Sequence, residues 1–277
     1  MARSKGGPSA AAAAAAPARL SGGVLTQILL SLYFFLAGAA VSTSRVLWLL
    51  PAATALSAAA FAVAGLAARL LPARGAPPAP DAAALRSLQL VHLAYSSLAA
   101  CAAAAYVAAR PAALLLAAPQ PADTLAQALV AASAGFFGFV LWAEVGARLY
   151  TRSYSAVVHY TVLLVLFSAA AHKSVNTGFL AVTLLGEVNS AVVMARRLAA
   201  GAGLRRAAAA LAAADGATFV VFRLALHGAM AGAVVLNPQA FTGAAYYVLA
   251  AAGMLYMNVV NAKHALGMLR APKERAD

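Results

Sequence analysis

The chain has 277 residues, of which 64% are hydrophobic and only 10% are charged, and its mean hydropathy is +0.84. Charged residues make up about a quarter of a soluble domain, so this composition excludes an ordinary soluble protein and predicts an integral membrane protein. The net charge of +13 does not indicate nucleic-acid binding, because the basic residues lie between apolar runs and do not cluster with aromatic residues.

The first 75 residues contain a basic tail followed by two apolar runs. Residues 1–22 are alanine-rich and free of acidic residues, which predicts disorder. The runs 24–41 and 46–71 are long enough to cross a bilayer, so a transmembrane helix pair is expected over residues 23–75. Alternatively, the tail and the first run form a signal peptide cleaved near LAGAAVS, or the acid-poor tail is a transit peptide.

Further apolar runs follow the proline-rich segment PARGAPPAPD at 72–81. They cover residues 87–109, 124–147, 155–171, 175–197, 217–236 and 243–268. With the first two runs they predict an all-α bundle of about eight transmembrane helices. If all of them span the membrane, fifteen of the twenty Lys and Arg residues lie on one side, and only Arg45, Arg110 and Lys173 lie on the other. Because cytosolic loops are enriched in basic residues, both termini, including the tail 272–277, are expected in the cytosol.

The run 175–197 carries polar residues at helical spacing. This stripe consists of Asn176, Thr183, Glu187, Ser190 and Arg197. A charge at membrane depth is costly and usually faces the interior of the bundle, so the stripe is expected to face inward. The opposite side is expected to face lipid, and it carries Phe179, Val182, Leu185 and Val192.

Other runs carry polar side chains that are expected to face the same interior. They are His92, Ser96, Glu144, His159, Arg223, His227, Asn258 and Asn261. A helix rises about 1.5 Å per residue, which places most of these groups in the half of the membrane near the basic ends. The sequence therefore predicts a polar cavity that opens toward the cytosol. The purely structural alternative is that Glu187 pairs with Arg223, Glu144 pairs with Arg148, and the histidines make ordinary hydrogen bonds.

Several stretches together resemble the TLC-domain superfamily, which includes ceramide synthases, TRAM-type translocon-associated proteins and proteins of lipid homeostasis. The stretches are RSLQLVHLAYSSL (86–98), GFFGFVLWAE (135–144), SAVVHYTVLL (155–164), LLGEVNSAVVMARRL (184–198), TFVVFRLALHG (218–228) and MNVVNAKHALGML (257–269). The resemblance implies a six-helix domain over residues 84–271. His159-Tyr160 stands where the family has paired histidines, and Val140 stands where it has an aspartate. The long acidic motif of ceramide synthases is absent.

The resemblance implies a membrane protein of lipid homeostasis, in the endoplasmic reticulum, that binds a lipid or acyl chain in its polar-lined bundle. One alternative is a ceramide-synthase-like acyltransferase of sphingolipid metabolism, with fatty acyl-CoA as substrate. In that case His159 would be the base and Glu144 or Glu187 would orient it. Another alternative is a membrane cargo receptor or translocon-associated chaperone. Membrane lipids are the expected partners. No cofactor and no metal site are expected, and Cys101 is the only cysteine. The oligomeric state is left open.

Overall fold

The computed structural model describes residues 80–116, 120, 123–146 and 154–270, and within these ranges it contains helices and turns but no strand. The α-helices are α1 (Pro80–Ala109), α2 (Thr124–Gly146), α3 (Tyr154–Lys173), α4 (Thr177–Thr183), α5 (Glu187–Gly201), α6 (Arg205–Thr218), α7 (Leu226–Leu236) and α8 (Ala244–Arg270). Short 3-10 turns occupy Pro111–Leu114, Leu184–Gly186 and Pro238–Ala240, and a π-helical turn occupies Phe219–Ala225.

These helices form six segments that are long and apolar enough to cross a membrane. They are Leu85–Ala109, Thr124–Val145, Tyr154–Lys173, Thr177–Gly201, Arg205–Leu236 and Ala244–Arg270. The prediction of an all-α transmembrane bundle is confirmed, and the chain is an integral, multi-pass membrane protein. The tail 1–22, the helix pair at 23–75 and the tail 272–277 lie outside the described residues, so these assignments stay predictions.

Two of the six segments are not uniform α-helices. The fourth is interrupted by the 3-10 turn Leu184–Gly186, and the fifth is interrupted by the π-helical turn. The fifth also begins at Arg205 rather than at residue 217, where the apolar run begins. Its first part reads RRAAAALAAADGAT. Alanine has the highest helix propensity of all residues, which extends the helix through a stretch whose charges lower its hydropathy.

The core between α1, α2 and α3 consists of aromatic rings and small side chains. Phe136 and Phe137 are almost completely buried, and the Tyr95 ring stacks on Phe136. Ala103, Ala134 and Ala170 are also fully buried. Small residues allow neighbouring helices to approach closely, and in a bilayer such packing contributes more to association than the hydrophobic effect does.

The lipid-facing side predicted for the fourth segment is wrong. Phe179 is 3% exposed and Val182 is 0% exposed, and both belong to an apolar cluster that also includes Tyr106, Met230 and Val234. Leu185 and Val192 are half-buried. The segment lies centrally, against α1, α2 and α7, so it has protein on several sides. A charge pattern identifies the polar side of a helix, but it does not show whether lipid covers the opposite side.

The predicted polar stripe is also divided between the two ends of the bundle. Asn176 precedes α4 with a positive φ of 58°, and it ties together loops at the end away from Arg197. Its Nδ2 donates to the Ala240 carbonyl over 2.9 Å, and its Oδ1 accepts from the Gln120 N–H over 2.9 Å. Gln120 Oε1 in turn accepts from the Phe179 N–H. These hydrogen bonds connect three chain segments and stabilise this end of the bundle.

Candidate functional site

The opposite end of the bundle contains a cavity of about 440 Å³. All six membrane-spanning segments of the described residues contribute to its wall. Its titratable or charged side chains are His92, Glu144, His159, Tyr160, Glu187, Arg197, Arg223 and His264. Its apolar wall includes Leu85, Leu88, Val140, Val193, Met194, Phe219 and Val260. Ionisable groups and apolar side chains therefore share one space within the bundle.

Glu187 is the first residue of α5 and connects three segments of the bundle. It is 8% exposed, and its Oε2 accepts a hydrogen bond of 2.6 Å from Ser96 Oγ. Its Oε1 lies 3.9 Å from Arg223 Nη2. Arg223 Nη2 also donates to Ser190 Oγ. Buried charges need a partner or hydrogen bonds, and this network supplies both to Glu187 and Arg223.

The π-helical turn displaces backbone carbonyls from regular helical pairing, and side chains of α8 bind two carbonyls near it. Asn261 Nδ2 donates to the Arg223 carbonyl over 2.8 Å, and Asn258 Nδ2 donates to the His227 carbonyl over 3.3 Å. Single π-helical turns occur frequently at functional sites. Asn261 also lines the cavity, whereas Asn258 is not among the lining residues. We conclude that both asparagines hold the backbone that carries Arg223.

His227 packs against the 3-10 turn that precedes Glu187. Its Nδ1 lies 2.7 Å from the Phe222 carbonyl. A Cβ added at Gly186 would lie 2.6 Å from His227 Cε1. His227, in the first turn of α7, therefore links the two irregular turns, because it packs against Gly186 of the 3-10 turn and contacts the Phe222 carbonyl of the π-helical turn.

His159 lies on the cavity wall, but neither predicted carboxylate partner binds it. Its Nδ1 is buried and has no hydrogen-bond partner, and its ring meets Tyr160 edge-on. No hydrogen bond or ion pair joins it to Glu144 or Glu187 within the described part of the chain. The imidazole therefore has a free nitrogen inside the bundle.

Tyr160 is a cavity residue that the sequence interpretation treated only as a missing histidine. Its Oη lies 3.5 Å from His92 Nδ1, and the two rings meet edge-on. His92 is 7% exposed and also packs edge-on against Phe136. The segment that carries His159 thus contacts the histidine of α1 through a tyrosine.

Glu144 and Arg197 lie on the wall without forming an ion pair with each other. Glu144 is half-buried and Arg197 is exposed. Arg148, the predicted partner of Glu144, lies outside the described residues, so that pairing stays a prediction. Of the other predicted residues, Ser96 is fully buried behind Glu187, and Ser190 lines the cavity.

Asp215 and Asn189 form a second buried polar cluster that the spacing of polar residues did not predict. Asp215 is 2% exposed; its Oδ1 accepts from Asn189 Nδ2 over 3.0 Å, and its Oδ2 lies 3.0 Å from Arg196 Nη1. These contacts join α5 to α6. The sequence did contain a signal for this cluster, because Asp215 is the only acid in the alanine-rich helix Arg205–Thr218. The apolar run at 217–236 begins after Asp215, so the predicted membrane span did not include this residue.

A further cavity, of about 40 Å³, adjoins the first one inside the bundle. Glu187 and Arg223 line both cavities. The other lining residues are Phe137, Leu163, Leu166, Phe167, Leu180, Thr183, Leu184, His227, Met254 and Met257. We call it the inner chamber. No group of three or more His, Cys, Asp or Glu side chains that could hold a metal ion occurs among the described residues.

Comparison with protein families gives a match to the TLC domain over residues 87–268. This range begins in α1, ends in α8 and contains every residue that lines the cavity except Leu85. No match was found among curated proteins or among solved structures.

Proposed function

Because the chain belongs to the TLC-domain family, which is generally linked to lipid metabolism, we propose that it acts in membrane lipid homeostasis by binding a lipid in the 440 Å³ cavity. The observation that carries this proposal is the combination of ionisable and apolar side chains in one space within the bundle. Ligand pockets typically measure about 300–1,000 Å³ and are mostly apolar with a few polar groups. An amphiphile matches such a wall, because its head group meets the charges and its chain meets the apolar residues.

The distribution of basic residues supports access from the cytosolic leaflet. Arg86, Arg197 and Arg270 lie near the end of the bundle that holds the cavity, and Arg205 and Arg206 begin α6 at this end. The positive-inside rule places such an end in the cytosol. In this orientation the ligand is a lipid of the cytosolic leaflet, and the membrane is that of the endoplasmic reticulum, as the resemblance to TLC-domain proteins implies.

Native mass spectrometry of the detergent-purified protein tests lipid binding. We expect a bound lipid on the wild-type protein and loss of that lipid in Val193→Trp, because Val193 lines the cavity and the indole ring occupies the ligand's space. Leu255→Trp is the matched control, since Leu255 is 66% exposed on α8, and it should retain the lipid. A wild-type protein without bound lipid, or equal retention in both variants, would refute the proposal.

A second candidate function is acyl transfer from acyl-CoA to a lipid amine or hydroxyl, and the free Nδ1 of His159 favours it. The neutral imidazole would accept the proton of the attacking amine or hydroxyl. A new C–N or C–O bond would form at the thioester carbonyl as the C–S bond breaks. The imidazolium would then return its proton to the CoA thiolate, which balances the reaction.

Release of free CoA thiol, measured with fatty acyl-CoA and extracted membrane lipids, tests this candidate. General base catalysis contributes about 10²–10⁴-fold to a rate, so His159→Ala should reduce thiol release by at least about 100-fold. His172→Ala is the control, because His172 lies at the other end of α3. Thiol release that is absent from the wild type, or unchanged in His159→Ala, would eliminate this role.

A further inference from the structure

The inner chamber differs from the larger cavity in the chemistry of its wall. Eight of its twelve lining residues are aliphatic, methionine or phenylalanine side chains. The Thr183 hydroxyl donates to the Leu180 carbonyl, and His227 Nδ1 contacts the Phe222 carbonyl. The Thr183 hydroxyl and His227 Nδ1 are therefore already engaged, and the charged part of the wall is the Glu187–Arg223 pair. Cavities lined mainly by apolar side chains accept apolar ligands.

The boundary between the two cavities is the Glu187–Arg223 pair. The two side chains are 3.9 Å apart, which is longer than the distance of about 2.7–2.9 Å typical of a charge-assisted hydrogen bond. Each also has its own hydrogen bond, from Ser96 to Glu187 and from Arg223 to Ser190. A small further separation would keep each group hydrogen-bonded to its serine hydroxyl, and it would weaken only the Coulombic attraction between the two charges. An apolar chain that extends from one cavity to the other therefore passes two side chains that are not held together by a short hydrogen bond.

The far wall of the chamber combines rigid and adaptable side chains. Phe137 and Phe167 are 1% and 3% exposed, and their rings meet edge-on with centroids 5.0 Å apart. Such buried ring pairs have little freedom to move. Met254 lies on the same wall, and methionine side chains adapt readily to neighbouring groups. The volume of about 40 Å³ admits only a small part of a chain.

We propose that the inner chamber receives the end of a lipid's apolar chain, and that Phe137, Phe167 and Met254 determine the longest chain that fits. This inference rests on the proposed lipid binding in the larger cavity. It specifies a ligand whose head group lies near His159 and Arg197 and whose chain passes the Glu187–Arg223 pair. Specificity for chain length then depends on the chamber, and specificity for the head group depends on the cavity.

The chain-length distribution of lipids released from the purified protein, measured by mass spectrometry, tests this inference. Phe167→Ala enlarges the chamber and should shift the bound lipids toward longer chains. Leu180→Phe adds a ring to the chamber from a half-buried position and should shift them toward shorter chains. Opposite shifts identify a length-determining wall, since general destabilisation would not produce them. Leu255→Ala, on the exposed face of α8, is the control and should leave the distribution unchanged.

The outcomes also separate this inference from the proposed function. Bound lipid with one chain-length distribution in all four proteins would overturn the role of the chamber but keep lipid binding. Absence of bound lipid from the wild-type protein would overturn both. Should Phe167→Ala fail to fold, Met254→Ala enlarges the same wall, and an unchanged distribution in that variant would also overturn the inference.

Discussion

Glu187 shows how a carboxylate is stabilised inside an apolar helical segment. It accepts a hydrogen bond from Ser96 and faces Arg223, and Arg223 is held by Ser190. The sequence could predict that Glu187 faces inward, because a charge exposed to lipid is too costly. It could also suggest Arg223 as a partner. It could not identify Ser96 as the hydrogen-bond donor, because that contact joins residues 91 positions apart.

Removal of the Glu187 carboxylate should destabilise the protein strongly. Glu187→Ala leaves Arg223 as a buried charge without its counter-ion, and breaking a buried pair costs about 3–5 kcal/mol. Glu187→Gln keeps an oxygen that accepts from Ser96, so its loss should be smaller, about 1–3 kcal/mol. Melting temperatures in a single detergent should fall in the order wild type, Gln variant, Ala variant. An Ala variant as stable as the wild type would contradict the network.

At the scale of elements, the irregular turns are the features that sequence periodicity did not predict. The apolar spacing in residues 177–201 fits a continuous helix, but the 3-10 turn at Leu184–Gly186 rotates its two halves relative to each other. The π-helical turn at Phe219–Ala225 does the same in the next segment. Both turns make contacts between segments: Asn261 of α8 binds the Arg223 carbonyl of the π-helical turn, and His227 of α7 packs against Gly186 of the 3-10 turn. Hydropathy predicted the bounds of five of the six described segments closely. The exception is Arg205–Leu236, for which the apolar run begins only at residue 217.

Gly186→Ala tests the contact between the 3-10 turn and His227 of α7. The added methyl group would lie 2.6 Å from His227 Cε1, and overpacking of this kind costs about 1–3 kcal/mol. Gly228→Ala is the matched control, since its Cβ meets nothing within 4 Å, and replacing a helical glycine by alanine gains up to about 1 kcal/mol. Thermal unfolding in detergent should therefore show a lower melting temperature for Gly186→Ala only. A parallel response of the two variants would refute the contact.

For the whole molecule, the sequence predicted the class of fold and the end of the bundle that is polar. It did not predict how the segments pack against one another. The cost of buried charge and the length of apolar runs are general properties, so the helical bundle and its polar end follow from composition and spacing. The central position of α4 and α5 depends on how six segments pack, and no local pattern encodes it. The family match agrees with the resemblance seen in the sequence, so membership of the TLC-domain family is confirmed.

The orientation of the bundle is testable with single cysteines. In a Cys101→Ser background, which removes the only native thiol, Leu204→Cys lies between α5 and α6, and Thr242→Cys lies between α7 and α8. The positive-inside rule places the first in the cytosol and the second across the membrane. A membrane-impermeant maleimide applied from the cytosolic side should label only Leu204→Cys. Labelling of Thr242→Cys alone would invert the topology and move the cavity to the other leaflet.

The proposed function requires that a lipid occupy the cavity formed by all six described segments. Photo-crosslinking in membranes with a diazirine-bearing lipid, followed by peptide mapping, measures this occupancy. We predict adducts on cavity residues of α3 and α5, such as those near His159 and Val193, and their loss in Val193→Trp. Adducts that map only to outward-facing positions such as Leu255 and Leu269, with the same yield in Val193→Trp, would show that no lipid occupies the cavity.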